Sequence, residues 1–180
     1  MDTRADVSLQ IRNIDNWHRY FVAGQFVGSD TNRSYPVEFY TRGPIGPVLT
    51  TGERYVVVMY ESTGETISEG HILALWKNRI GTLSPFYTQK GMTAFTAEVR
   101  VTPVKPGKKA KRITGRFVNL QDGSQTRFKF DPARSPGNCI TNGGRYLVVF
   151  RPRWFGAVRE DEMTGVIQRR METQQPIKTP

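Results

Sequence analysis

The sequence predicts an all-β protein built from two related small modules. Three observations carry that expectation. The chain repeats itself, its apolar residues alternate with polar ones, and the alternating runs are separated by Gly/Pro turns. Shifting the 180-residue chain by 91 positions aligns Gly24–Tyr60 with Gly115–Arg151 without a gap, giving 11 identities in 37 positions. Unrelated segments of that length would give about two or three. The matches fall on apolar positions and turn glycines: Gly24/Gly115, Phe26/Phe117, Val27/Val118, Phe39/Phe130, Gly46/Gly137, Thr50/Thr141, Gly52/Gly143, Arg54/Arg145, Tyr55/Tyr146, Val57/Val148 and Val58/Val149.

Taken in order, Val7, Leu9 and Ile11 alternate with Ser8, Gln10 and Arg12, the pattern of a half-buried strand. In the second copy Phe95, Ala97, Val99 and Val101 alternate with Thr96, Glu98 and Arg100, after a one-residue gap in the alignment. His18–Val27 follows as a strand with Tyr20, Val22, Gly24 and Phe26 on one face. Lys111, Ile113, Gly115 and Phe117 take the same places later. Glycine at both equivalent positions predicts a bulge or sharp bend. The turns at Gly28–Asn32 and Gln121–Ser124 lead into strands at Tyr35–Tyr40 and Thr126–Asp131. Gly/Pro loops then precede Tyr55–Met59 and Tyr146–Phe150. These runs are apolar on both faces and are expected to be central and covered on both sides.

Beyond this point the copies are expected to diverge. Gly70–Ile80 reads as a short helix (Ile72, Leu73, Trp76, Ile80) or as another strand (Ile72, Ala74, Trp76). Arg159–Met171 places acidic residues first and basic ones last, which predicts a helix with its dipole complemented, although Gly165 weakens it. Gly81–Thr93 lacks periodicity and reads as the junction. The resulting boundaries are a near-neutral first module at 1–85, a strongly basic second at 86–172 and a disordered tail at 173–180. Strands of this length suit two OB-like or SH3-like barrels, with a single β-sandwich or jelly roll as the alternative. That likeness is architectural and carries no function of its own.

Hydrophobic residues make up 37% of the chain, enough for lean cores. There is a single cysteine, Cys139, so no intramolecular disulfide is possible. No run approaches a membrane span and the first residues are polar. A cytoplasmic protein, or one associated with a nucleoid or virion, is expected rather than a secreted or membrane one. The net charge of +10 is unevenly distributed. Residues 1–90 hold 9 basic and 9 acidic side chains, whereas residues 91–180 hold 17 and 7. Such asymmetry points to a polyanionic partner for the later half.

Catalytic patterns are thin. The two histidines, His18 and His71, have no nucleophile beside them, and no phosphate loop or nucleophile elbow is present. The Asn142-Gly143-Gly144 turn leads into a strand rather than a helix N-terminus. Glu160-Asp161-Glu162 reads as the acidic first turn of a helix rather than a cation site. No enzyme activity, cofactor or metal is expected.

Binding patterns are stronger. Lys105, Lys108, Lys109, Lys111 and Arg112 lie within eight residues, and such a loop attracts phosphates by releasing counterions. Arg116, Arg127 and Lys129 share a face if the strands pair as the repeat implies. Arg151, Arg153, Trp154 and Phe155 set aromatic rings beside guanidiniums, a combination suited to stacking bases, unless the two rings simply cap the core. In the first copy Trp17-His18-Arg19-Tyr20-Phe21 and Trp76-Lys77-Asn78-Arg79 echo this mixture weakly.

The expectation is a nucleic-acid-binding protein, for single-stranded DNA or RNA ahead of duplex, because no cation-rich helix is available for a major groove. The neutral module is then free for self-association or a protein partner. Two other classes remain open: a viral or phage structural or assembly protein, and a protein-binding adaptor or inhibitor that recruits its partner along a sheet edge.

Overall fold

The computed structural model describes residues 2–11, 20–28, 33–60, 65–109 and 111–168, the first of these segments by its backbone alone. The chain divides into two compact units, Met1–Lys90 and Gly91–Pro180. In the first, β1 (Asp2–Ile11), β2 (Phe21–Gly28), β3 (Ser34–Tyr40), β4 (Arg54–Met59), β5 (Ile72–Lys77) and β6 (Tyr87–Thr88) form an antiparallel sheet ordered β3-β2-β1-β4-β5-β6. In the second, β7 (Thr93–Val101), β8 (Ile113–Asn119), β9 (Gln125–Phe130), β10 (Arg145–Phe150) and β11 (Met163–Gln168) are ordered β11-β10-β7-β8-β9. The only helical segments among the described residues are single 3-10 turns at Gly46–Val48, Glu69–His71 and Glu160–Glu162.

The two units share the hydrogen-bonding register of the β2–β3 and β4–β5 pairs. Tyr55 pairs with Lys77 and Tyr146 with Gln168, and Gly24 pairs with Val37 and Gly115 with Phe128. Each of these pairs maps onto its counterpart by the same 91-residue offset. Neither sheet closes on itself. Each outer strand instead makes one parallel bridge to the segment preceding the last long strand, Val37 to Ile67 and Phe128 to Val158.

Two sequence expectations fail here for one reason. The copies do not diverge in the turn and strand that follow the signature strand, and the expected helix at Arg159–Met171 is a 3-10 turn followed by β11 over its described part. Strand β11 carries a register shift between Val149 and Phe150 of its partner, so Val148 faces Val166 while Phe150 faces Met163. The extra residue sets the core-facing side chains three apart instead of two, which imitates a helical spacing. Strand β5 has the same shift, so Ile72 and Leu75 face the core and the helix alternative for Gly70–Ile80 is excluded. The acidic run shapes the turn, with the Glu160 carboxylate accepting the Asp131 backbone N–H.

Each unit has its own core. Phe26, Phe39, Tyr55, Val57 and Leu75 are among the buried residues of the first, and Phe117, Phe128, Phe130, Tyr146 and Val148 among those of the second. The expected burial of both faces of the signature strands is met from Tyr55 to Met59 and from Tyr146 to Phe150. The tyrosines also tie down the preceding loops, because the hydroxyls of Tyr55 and Tyr146 accept the N–H groups of Thr50 and Thr141, both at 2.9 Å.

Among the described residues no bulge occurs at Gly24 or Gly115, where the ladders run without interruption. Gly115 is needed for space. A Cβ there would lie 2.3 Å from the Arg100 carbonyl oxygen and 2.6 Å from the Phe128 ring. Gly115→Ala is expected to cost about 1–3 kcal/mol through forced repacking, read as a lower midpoint in denaturant unfolding.

Candidate nucleic-acid interface

Directly opposed residues in an antiparallel ladder share a face. On β7, β8 and β9 the register pairs Arg100 with Arg116 and Arg116 with Arg127. Val99, Phe117 and Phe128, one position away, are buried in the core. Three exposed arginines therefore stand abreast on the outer face, with Cβ atoms of neighbours roughly 5 Å apart. Lys129 lies two residues along β9, opposite Thr114. The structure thus brings together Arg116, Arg127 and Lys129 as expected.

It adds Arg100, which the sequence reading passed over. The signal was present, since Arg100 occupies a polar position in the alternating run of β7, but its neighbours became visible only with the register. The same places in the first unit are held by Gln10, Gln25 and Pro36, with Glu38 in place of Lys129.

Charge compensation is sparse. Arg100 meets Glu98 at 3.3 Å, and Arg116 Nη1 donates to Gln125 Oε1 at 2.7 Å. Among the described residues no carboxylate forms an ion pair with Arg116, Arg127 or Lys129. Like charges placed directly opposite destabilise a sheet, so the row works against folding.

Other predicted residues divide by role. Lys105, Lys108, Lys109 and Lys111 are exposed on the loop between β7 and β8. Its turn is closed by the Lys108 N–H donating to the Lys105 carbonyl, with Gly107 at φ +83°. The Thr102 N–H donates to Thr114 O and extends the ladder, so the loop leaves the sheet beside the Thr114–Lys129 pair. Arg112, by contrast, is engaged at the loop's base, with Nη1 3.7 Å from both Asp131 and Glu160. Burial pushes the Glu160 carboxyl upward in pKa. Backbone N–H groups, Arg134 and Arg112 outweigh it and hold the group below its ordinary value. Arg153 pairs with Glu162 at 2.9 Å, and Arg151 is exposed.

Trp154 and Phe155 do not cap the core, because both are exposed. They precede Val158, whose N–H donates to Arg127 O and whose carbonyl accepts the Lys129 N–H. Trp154 is four residues from that anchor, a span of at most roughly 14 Å. At the corresponding places the first copy has Thr63 and Gly64.

The weaker aromatic–basic mixtures of the first unit do not form a comparable surface. Trp76 is fully buried and Arg79 is paired with Glu53. Trp17, His18 and Arg19 lie outside the described residues, as does the tail at 173–180. No family model, curated protein or solved structure matches the chain. Among the described residues no helix is long and apolar enough to cross a membrane.

Relieving the row should stabilise the fold. Arg127→Gln is expected to raise unfolding free energy by about 0.2–1 kcal/mol at low salt, and the gain should shrink as added salt screens the wild-type repulsion. Glu160 should act in the opposite sense. Its depressed folded-state pKa makes its contribution complete above the unfolded value, near 4.3, and lost as pH falls through the folded value. Glu160→Gln should therefore lower stability at neutral pH by about 1–3 kcal/mol and flatten the decline in acid, measured by urea titrations across that range.

Proposed function

We propose that the protein binds nucleic acid, single-stranded DNA or RNA in preference to duplex, on the outer face of β7, β8 and β9. The observation that carries this reading is the row Arg100–Arg116–Arg127. It combines like-charge crowding, exposure and little internal compensation in a unit whose homologous positions elsewhere in the chain are uncharged. Lys129 and the lysines of the β7–β8 loop extend the positive surface, and Trp154 and Phe155 supply exposed rings for base stacking. Each unit is read as a small OB-like or SH3-like barrel left open beside its parallel bridge. The role is one of binding rather than catalysis.

A fluorescence anisotropy titration with labelled oligonucleotides tests the proposal. Replacing Arg116 and Arg127 together with Gln should reduce the log–log salt slope by about 1.4, since each single-strand phosphate contact contributes about 0.7. Trp154→Ala should lose about 1–3 kcal/mol of affinity with an unchanged slope, the signature of stacking. Absence of binding at low salt overturns the reading. A large symmetric particle in light scattering, without oligonucleotide binding, favours an assembly role instead.

A further inference from the structure

In the first unit β5 is not the last strand. Strand β6 covers its outer edge, pairing Ala74 with Thr88 and Leu75 with Tyr87, and the flanking N–H groups of Phe86 and Gln89 donate to Leu75 and Leu73 carbonyls. Phe86 reaches the core and meets the Tyr55 ring edge-on at 5.7 Å. In the second unit β11 ends the sheet, and among the described residues nothing pairs with its outer edge. The packing differs accordingly. Ile72, Leu73 and Leu75 are fully buried, whereas their counterparts Met163, Thr164 and Val166 are only partly so.

The 91-residue offset holds for every strand pairing from β2 to β5, and it assigns the position of β6 to residues 178–179. The sequence there repeats. Between 79–88 and 170–179 the identities are Arg79/Arg170, Thr82/Thr173, Pro85/Pro176 and Thr88/Thr179, with Phe86 matched by Ile177.

We infer that the outer edge of β11 is a docking site for this chain's own segment 176–179, which adds to it as β6 adds to β5. The repeat matches Ile177 to Phe86, and main-chain pairing by the segment would satisfy an edge that, among the described residues, presents unpaired N–H and C=O groups. The inference concerns the edge of the sheet and is independent of the nucleic-acid reading.

Hydrogen exchange on the full chain tests it. Removing residues 173–180, or substituting Ile177→Asp in the full-length protein, should speed exchange across Met163–Gln168 by roughly tenfold or more. Exchange across Ile72–Lys77 should stay unchanged and so report that the fold is intact. A synthetic peptide of residues 172–180 added to the truncated protein should restore the protection. Unchanged exchange in both variants overturns the inference. A concentration-dependent dimer that the truncation converts to monomer also overturns it, in favour of a second copy supplying the strand.

Discussion

Strand register is the constraint from which the surface chemistry of the second unit follows. Side chains alternate with a period of two, so a slip of one residue between β7 and β8 would drive Arg100 toward the core and expose Val99. The aromatic packing of Phe117 against Phe128 and Phe130, together with the space that Gly115 leaves for the Phe128 ring, removes that freedom. Once the core face is fixed, the arginines have one place to be. The charged row is thus the obverse of a hydrophobic decision, and its alignment needs no interaction among the arginines themselves.

The two units share one scaffold and differ on its surface. Shared elements are those that hold the sheet together: the tyrosine hydroxyl bonded to a threonine N–H, the shifted register of the last long strand, and a glutamate accepting the N–H at the end of an outer strand. What changes lies on the solvent side. The Phe21 and Tyr40 rings lie 4.9 Å apart, tilted by 32°, where the second unit sets Arg112 beside Asp131. An aromatic pair and an ion pair thus serve corresponding positions, inside the ladder in the first unit and just beyond its end in the second.

The all-β class, the repeat and the doubly covered signature strands were legible because each leaves a pattern of identity or period two. Strand β11 was not. Its bulge offset the core positions to Met163 and Val166, and an acidic turn completed the imitation of a helix. The site was half legible. Arg116, Arg127 and Lys129 could be placed on one face if the strands paired as the repeat implies, but their alignment with Arg100 depends on which residues sit opposite one another, and linear spacing does not carry that. Nor does composition separate Arg112 from its lysine neighbours. Its engagement appears only when Asp131 and Glu160, distant in sequence, arrive at the same corner.

The β7–β8 loop has a clamped root and a tip that turns back on itself through the Lys108–Lys105 hydrogen bond. One side is held by the last ladder bond at Thr102 and the other by Arg112 on its two carboxylates, while the intervening lysines face water. Charge at the tip, on Lys105, Lys108 and Lys109, can therefore be altered without touching the corner where Arg112 meets Asp131 and Glu160.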